Sequence, residues 1–312
     1  MTSTPHTQSE ISLSIAAVER ETGIAKDTLR VWEKRYGFPQ PLRDASDDRR
    51  YPFDQVQRLK RIRRLLDAGY RPGKIVHLDD VALDDFLDSV NYLSKTDVMP
   101  ASSVQLLEPM LQLIETHRDA ELRETMQLQL MRTGLAGFVH DIAAPLTTAV
   151  GEAWAQGRFE IFEEHLYTEV VTNVLRRNLE AVRRTDSDAR PKVLLTTVPQ
   201  ELHGLGLLMV ESLLTLEGCT CISLGTQTPL SDIVRAAAAC DADVVALSYT
   251  NVHSAAVVHR SLSDLRQALP GQTWIWVGGS CASLYQKPLQ GITALNDLGG
   301  VSALVASWRS AQ

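Results

Sequence analysis

The chain of 312 residues carries a formal net charge of -7, and 44% of its residues are hydrophobic. That length is enough for two or three domains with buried cores. No apolar run approaches the roughly 18 residues that span a bilayer, and the first residues lack the charged and apolar blocks of a signal peptide, so we expect neither membrane insertion nor secretion. The four cysteines lie in apolar segments at spacings unlike those of a zinc site, which favours free thiols in a reducing cytoplasm.

The charge is unevenly distributed along the chain. Residues 11–75 hold 15 of the 31 Lys and Arg and 9 of the 38 Asp and Glu, a local charge of +6. The other residues hold the remaining 16 basic and 29 acidic side chains, a charge of -13. A compact basic module on an acidic body indicates either a surface for a polyanion or a solvated charged helix, and charge alone does not decide between them.

The first predicted elements are two short helices joined by a tight turn. Ser14 caps a helix to about Arg20, Gly23 permits the turn, and the second helix runs from about Lys26 to Tyr36. A short helix that braces a second one is typical of a helix-turn-helix, whose second helix enters the major groove of DNA. The polar residues of that second helix are the predicted DNA contacts: Lys26, Thr28, Arg30, Lys34 and Arg35.

The next segment, from Phe38 to Asp54, contains three prolines and predicts a loop or small hairpin. Such a wing would lie against the phosphates of DNA. The side chains predicted to make these contacts are Arg43, Arg49, Arg50 and Tyr51. Asp54 is expected to cap a basic amphipathic helix that ends at Gly69.

Three motifs in this region carry a family resemblance. Ser14-Ile-Ala-Ala-Val-Glu-Arg-Glu-Thr-Gly-Ile, then Thr28-Leu-Arg-Val-Trp-Glu-Lys-Arg-Tyr-Gly, then Arg-Arg-Tyr51 resemble the winged-helix DNA-binding domain of the MerR family of bacterial transcription regulators. The resemblance covers roughly residues 11–80 and implies DNA binding. Asp47-Asp48 stand where relatives often carry glycines, which leaves the shape of the wing turn open. No long heptad helix follows residue 80, so dimerisation is expected to use another surface.

Residues 103–183 predict a bundle of four helices. Trp154 is followed nine residues later by Glu164-His165, and Gly157 breaks the helix between them. The break can fold Glu164 and His165 back towards the indole, which would place an aromatic plate and a polar pair at one end of the bundle. A purely structural Trp154 in the core is the alternative that the residues leave open.

The last part, residues 192–312, alternates apolar strands with helices near 204–216, 229–240, 254–268 and 300–309. This pattern predicts a doubly wound parallel sheet. The predicted strands are Val193 to Val198, Cys221 to Leu224, Val244 to Ser248 and Trp274 to Val277. Ligands of such sheets bind beyond the carboxyl ends of the strands, so we expect the functional side chains in the loops there.

The loop after the first of these strands contains Glu201-x-His203-x-x-Gly206, which is neither a Rossmann glycine motif nor a phosphate loop. His203 could cap or pack against the following helix. A neutral imidazole is also a common metal ligand, and a carboxylate two residues away can hold its other nitrogen. Because one histidine seldom retains a bare ion, the motif favours a metal already held by an organic ring.

Glu201-x-His203-x-x-Gly206, Ser248-Tyr-Thr250 and Gly278-Gly279 resemble the three-part signature of proteins that bind cobalamin base-off and His-on. The resemblance implies that His203 takes the lower axial site of cobalt and that Glu201 orients it. It also implies that Ser248 and Thr250 line a slot for the nucleotide tail, and that Gly278-Gly279 let the tail pass close to the backbone. Thr250 departs from the family pattern, which is usually Ser-x-Leu.

With the bundle included, this second resemblance spans roughly residues 103–312. It implies that the bundle caps the upper face of the corrin, with Trp154, Glu164 and His165 packed around the upper ligand. Gly206, the last residue of the Glu201-x-His203-x-x-Gly206 motif, is also expected to bind the cofactor. The combination of a winged helix, a helical cap and a cobalamin sheet resembles the CarH and LitR group of light-responsive repressors. In that group adenosylcobalamin promotes a DNA-bound oligomer in the dark, and light cleaves the cobalt–carbon bond and breaks the assembly.

One position departs from the light-sensing relatives. They can carry a histidine directly after the capping Trp, where this chain has Ala155. The bis-histidine photoproduct that such a histidine forms is therefore excluded at this position. His140 and His165 are the nearest substitutes, and neither matches the family position.

Three functions remain open from the sequence. The first is a non-enzymatic repressor that binds operator DNA as a dimer or tetramer under the control of adenosylcobalamin. The second is a DNA-binding regulator whose cobalamin fold senses another ligand or partner, and the third is the corrinoid component of a methyltransferase. The basic winged helix argues against the third, and His203 with Trp154 argues against the second, while Ala155 leaves room for it.

The expected organisation is multidomain, α and α/β. Its predicted parts are a disordered tail (1–10), the winged helix (11–80), a linker (81–102), the bundle cap (103–183), a linker (184–191) and the cobalamin-binding Rossmann-like sheet (192–312).

Overall fold

The computed structural model describes residues 12–44, 46–67, 70–84, 86, 101–182, 189–250, 252–286 and 289–312. The chain divides into two compact units, residues 1–98 with 152–158 and residues 99–151 with 159–312. The predicted tail, the predicted helix end at Gly69 and most of both predicted linkers lie outside the described residues. Within the described ranges, no helix is both long enough and apolar enough to cross a membrane.

The first unit contains a winged helix. Its strands β1 and β2 both pair with β3 in an antiparallel sheet of order β1-β3-β2. The described elements are β1 (Ser12–Ser14), α1 (Ile15–Thr22), α2 (Lys26–Tyr36), β2 (Leu42–Arg43), β3 (Arg49–Pro52), α3 (Phe53–Asp67) and α4 (Pro72–Ile75). Leu29 and Trp32 of α2 are buried against Leu59 and Ile62 of α3, which fixes the second helix on the body of the unit.

The predicted helix-turn-helix is confirmed in its details. The Ser14 hydroxyl accepts the Ala17 N–H at 3.3 Å, and Gly23 adopts a left-handed φ of 66° that ends α1. The expectation for Asp54 was wrong by two positions. Because α3 already begins at Phe53, Asp54 lies in its first turn and does not cap it.

The wing turn closes through aspartates. Asp47 adopts a left-handed φ of 63°, the conformation that glycine would take more easily. The Asp44 carboxylate accepts the N–H groups of Ser46 and Asp48, both at 3.0 Å, and Arg43 forms an ion pair with Asp47 at 3.4 Å. These local bonds to the backbone offset the steric cost at Asp47.

The second unit begins with the helical bundle. Its elements are α5 (Ala101–Glu115), α6 (Asp119–Phe138), a π-helical turn (Val139–Ala143), α7 (Ala144–Ala155) and α8 (Ile161–Val182), the last four residues of α7 falling in the first unit. The four predicted helices are present, and the predicted break at Gly157 is confirmed by its φ of 77°. Within α6, Gly134 leaves helical geometry at φ 71° and ψ 173°.

The rest of the second unit is a five-stranded parallel sheet of order β5-β4-β6-β7-β8. Its elements are β4 (Lys192–Thr197), α9 (Leu205–Leu216), β5 (Thr220–Ser223), α10 (Leu230–Ala239), β6 (Val244–Ser248), α11 (Ala255–Ala268), β7 (Trp274–Gly278), α12 (Ser283–Gln286), β8 (Ile292–Leu295) and α13 (Val301–Ser310). The register pairs Thr197 with Ser248, and Ser248 with Gly278. The carboxyl ends of three strands therefore meet at one edge, where the sequence places the candidate site.

Four of the five strands match the prediction, and β8 was missed. Its residues are mostly half-buried, because β8 forms one edge of the sheet. A run of four residues is close to the shortest that can indicate a strand, and β5, the other edge strand, is equally short and half-buried.

Candidate cofactor site and DNA interface

The loop after β4 holds His203 against a buried carboxylate. Glu201 is fully buried, and its Oε1 lies 2.6 Å from His203 Nδ1, while the His203 side chain is 60% exposed. When Nδ1 carries the proton of this hydrogen bond, the lone pair of the neutral ring lies on Nε2. Glu201 therefore orients the imidazole and sets the tautomer that a metal requires.

Glu201 is held in turn by the loop after β6. The backbone N–H and the hydroxyl of Thr250 both donate to Glu201 Oε2, at 2.7 and 2.8 Å, and the His203 N–H donates to Oε1 at 3.2 Å. Burial alone raises the pKa of Glu201, but the hydrogen bonds from His203 and Thr250 outweigh it and lower the pKa to about 2. The carboxylate is thus ionised at neutral pH although it is buried.

Beside this cluster lies a cavity of about 230 Å³ between the sheet and helices α9 and α13. Gly206, Ser248, Gly278 and Gly279 line it. Thr250 is not among the lining residues and holds Glu201, so its place beside the nucleotide tail stays a prediction.

The glycine pair is required by close backbone approach. Gly279 has a φ of 116°, and a Cβ atom there would lie 2.2 Å from the Tyr249 carbonyl oxygen. At Gly278 a Cβ atom would lie 3.3 Å from the Leu295 carbonyl oxygen. Any side chain at position 279 would push apart the loops that follow β6 and β7.

The predicted capping residues fall in different units. Trp154 lies in the last turn of α7, in the first unit, where the Arg64 guanidinium carbon lies 6.0 Å from the centroid of its ring. Glu164 and His165 lie on α8 in the second unit, with His165 Nε2 3.6 Å from Glu164 Oε2 and the Glu164 Oε1 accepting from the Thr168 hydroxyl at 2.8 Å. Their convergence around an upper ligand stays a prediction.

The candidate DNA contacts on α2 are accessible. Lys26, Arg30, Lys34 and Arg35 are exposed, and Thr28 is half-buried. Arg30 forms an exposed ion pair with Asp27 at 2.8 Å, which competing phosphates or bases can replace. These cations on one helix form the basic face that the charge asymmetry indicates.

The wing residues are more constrained than their sequence suggests. Glu33 accepts the Tyr51 hydroxyl at 2.6 Å and Arg49 Nε at 3.0 Å, and Arg50 donates to the Ser12 carbonyl at 2.8 Å. Tyr51 is fully buried, and burial together with the bond to Glu33 raises the pKa of its hydroxyl. Tyr51 therefore belongs to the core, and its buried side chain is not accessible for a direct contact with DNA.

Among the described residues, no group of three His, Cys, Asp or Glu side chains is placed to hold a metal ion. In this part of the chain, His203 with its carboxylate suits a metal that arrives with other ligands already in place. Sequence reasoning missed the bonds from Thr250 to Glu201 and the presence of Trp276 in the cavity wall. Neither has a local sequence signal, since both depend on the packing of the sheet.

Comparison with known proteins agrees with this division. Residues 13–80 match the family described as MerR HTH family regulatory protein, and residues 106–177 and 191–294 each match a family described as B12 binding domain. The HTH-type transcriptional repressor CarH of Myxococcus xanthus is 27% identical over 264 residues, which cover 85% of this chain and 87% of CarH. The repressor CarA of the same organism is 25% identical over 281 residues, which cover 89% of this chain and 90% of CarA.

Among solved structures, the monomethylamine corrinoid protein of Methanosarcina barkeri aligns with a TM-score of 0.53 and a sequence identity of 11%. The alignment covers 66% of this chain and 98% of the corrinoid protein. At that identity the likeness supports the fold alone. Together, the fold, the site and the matched families define a helix-turn-helix regulator of the MerR type that carries a cobalamin-binding domain. Over most of its length this regulator is similar to CarH and CarA.

Proposed function

We propose that the protein is a cobalamin-dependent repressor in the cytoplasm, which binds operator DNA as a homo-oligomer, a dimer or tetramer. Adenosylcobalamin and light control this assembly. The observation that carries the proposal is the pairing of exposed His203 with the buried Glu201 carboxylate beside a cavity at the carboxyl edge of the sheet. The similarity to two transcriptional repressors over most of the chain supports the regulatory role.

The residues present fit cobalamin. A single oriented imidazole suits a metal whose equatorial ligands come from a ring, and the cavity next to it suits an appended nucleotide. The backbone at Gly279, which tolerates no side chain, suits a ligand that passes close to the loops. Bound adenosylcobalamin supplies a cobalt–carbon bond that light can break.

Each part of the chain has a distinct task in this proposal. His203 would supply a nitrogen ligand to the cobalt of cobalamin, Glu201 fixes the tautomer of its ring, and Thr250 holds Glu201. Ser248 and the glycines at 206, 278 and 279 form the wall of the tail slot. Trp154, Glu164 and His165 cover the upper ligand, within the domain bounds of 103–183 for the cap and 192–312 for the sheet.

DNA binding uses the exposed cations of α2 for base contacts. Lys26, Arg30, Lys34 and Arg35 supply them, with Thr28 between them. The guanidinium groups of Arg43, Arg49 and Arg50 already contact Asp47 of the wing, Glu33 of α2 and the Ser12 carbonyl of β1, so their task is to approach phosphates from a fixed position. The +6 charge of residues 11–75 favours this region for DNA within a chain that is otherwise acidic.

The light response differs from that of relatives with a histidine after the capping Trp. Ala155 has no side-chain nitrogen, so it contributes no second ligand to the metal. Any change around Trp154 on illumination would therefore have to occur without a nitrogen ligand from residue 155. No catalytic step is part of this proposal.

The full-length chain is mixed with adenosylcobalamin in the dark, gel-filtered, and illuminated, alongside His203→Ala and the control His259→Ala on α11. We expect the wild type and His259→Ala to retain a corrin spectrum and His203→Ala to lose or shift it. Light should change the spectrum and the elution volume of the wild type. The protein loaded with adenosylcobalamin in the dark is also used to select a DNA fragment from a random pool, and light should release that fragment.

The other outcomes separate the competing functions. If corrin is retained but light changes neither elution nor DNA binding, the light control is wrong. If corrin is retained and no DNA is selected, a corrinoid component of a methyltransferase is favoured. If DNA is selected but no corrin is retained, the cobalamin assignment fails, and the domain senses another ligand or partner.

A further inference from the structure

A buried indole in the sheet lacks a hydrogen-bond acceptor. Trp276 is 3% exposed, and its Nε1–H has no partner among the residues that the structure describes. Buried donors are almost always satisfied in folded proteins, so an unsatisfied one calls for a specific explanation. A ligand that brings the acceptor is one such explanation, provided that it can reach the indole.

The indole lines the cavity beside the His203 cluster. On β7, Ile275 and Val277 face the core cluster of the sheet, while Trp276 faces the opposite side and lines the cavity with Leu214 of α9 and Val301 of α13. Trp276 lines the cavity through other atoms, whereas Nε1 itself is closed to water, so a ligand in the cavity reaches this donor only if the ring or its neighbours shift.

The cavity is polar at its mouth and apolar further in. Ser248 and Gly278 mark the carboxyl ends of β6 and β7, and Asn296 follows β8. Trp276 and its register partner Ala246 lie two residues earlier on the same strands, which places them deeper. The small Ala246 side chain leaves space beside the indole. The indole N–H is a hydrogen-bond donor in a part of the wall that is otherwise apolar.

We propose that Trp276 selects the lower base of the corrinoid by donating its Nε1–H to a ring nitrogen of that base. The inference rests on the proposed function, because His203 must occupy the lower site of cobalt for the base to be released into the slot. In dimethylbenzimidazole, the nitrogen that would otherwise bind cobalt then becomes an unsubstituted sp² acceptor. A base attached as a phenol ether has no ring nitrogen, so it gains nothing from the indole N–H.

The test compares two ligands on three forms of the full-length protein. The ligands are cobalamin and the corresponding cobamide with a p-cresol base, and the forms are wild type, Trp276→Phe and the control Trp274→Phe on the same strand. Phe keeps an aromatic ring and removes the donor. We expect Trp276→Phe to weaken cobalamin binding by about 3- to 10-fold, as one neutral hydrogen bond predicts, and to leave the phenolic cobamide within about 2-fold.

A second measurement detects the bond itself. In ¹⁵N-indole-labelled protein, the Trp276 Nε1–H resonance, assigned by its absence in Trp276→Phe, should move downfield with cobalamin and much less with the phenolic cobamide. Binding of the phenolic cobamide also shows that the variant is folded with an intact cavity. Trp274→Phe should match the wild type for both ligands.

The results that overturn the inference are distinct from those that overturn the function. Equal weakening of both cobamides by Trp276→Phe, or no weakening of either, shows that the indole only fills space. If Trp276→Phe binds neither ligand, the resonance of the wild type decides. An equal shift of the Trp276 Nε1–H resonance by both ligands would again show that the indole only fills space. Failure of the wild type to bind either cobamide overturns the proposed function and this inference together.

Discussion

Thr250 donates both its backbone N–H and its hydroxyl to one oxygen of Glu201, although 49 positions separate the two residues. The pair links the loop after β4 to the loop after β6, which lie side by side because β4 and β6 are neighbours in the sheet. The other oxygen of Glu201 holds His203. The orientation of the imidazole is thus fixed by two loops, and a metal ligand held in this way binds without first having to be ordered.

Thr250→Val should weaken cobalamin binding by about 10-fold, since groups that hold a metal ligand commonly contribute 10- to 100-fold to affinity. The variant keeps the shape of the side chain and the backbone N–H but removes the hydroxyl from Glu201, which also raises the pKa of that carboxyl. Absorbance titration with cobalamin measures the affinity. Thr250→Ser retains the hydroxyl and is the matched control; an affinity of Thr250→Val equal to that of Thr250→Ser would show that the hydroxyl does not matter.

The wing makes a separate prediction about stability. In Tyr51→Phe, Glu33 keeps Arg49 but loses the hydroxyl of a fully buried ring, so the free energy of unfolding should fall by about 1 to 2 kcal/mol. Urea denaturation of the full chain, followed by far-ultraviolet circular dichroism, measures the change. Because Tyr51 acts from the core, the affinity for the selected DNA at fixed salt should stay that of the wild type; weaker binding would place the hydroxyl at a phosphate.

The sequence was informative where the signal was local. The cap at Ser14, the turn at Gly23 and the Glu201–His203 pair all involve residues a few positions apart, and each is present in the structure. The apolar runs of the three central strands β4, β6 and β7 were continuous, so they predicted a parallel sheet. The two edge strands are short and half-buried and carry a weaker signal, and of these Thr220–Ser223 was predicted and Ile292–Leu295 was missed.

Long-range relationships could not be predicted in the same way. Thr250 belongs to a recognisable motif, but only the order of β4 and β6 in the sheet shows that it contacts Glu201 and lies outside the cavity wall. Trp276 looked like one more apolar residue of a buried strand. Its unsatisfied N–H is a property of everything packed around it, which no spacing in the sequence encodes.

Gly279→Ala should destabilise the sheet unit by about 2 to 4 kcal/mol. A Cβ atom there would lie 2.2 Å from the Tyr249 carbonyl oxygen, and the φ of 116° is unfavourable for any other residue. Chemical denaturation measures the loss, and cobalamin titration should show weaker binding because the loops after β6 and β7 are forced apart.

Gly271→Ala is the control for this prediction. It adds the same atom where nothing lies within 4 Å, so the free energy of unfolding should fall by less than about 1 kcal/mol. Similar stability of the two variants would contradict the tight approach at Gly279.

Arg30→Ala should weaken binding to the selected DNA by about 1 to 3 kcal/mol if Arg30 contacts a base. Arg30 is exposed on α2 and pairs with Asp27, three positions earlier.

Arg235 on α10 provides the matched control. It is also exposed and pairs with Asp232, three positions earlier, but it lies in the other unit. Arg235→Ala therefore removes the same charge and the same kind of ion pair from a surface with no proposed DNA contact. Fluorescence anisotropy at fixed salt should show a loss for Arg30→Ala and none for Arg235→Ala. An equal change in both would reflect net charge alone, and unchanged affinity in Arg30→Ala would remove this residue from the interface.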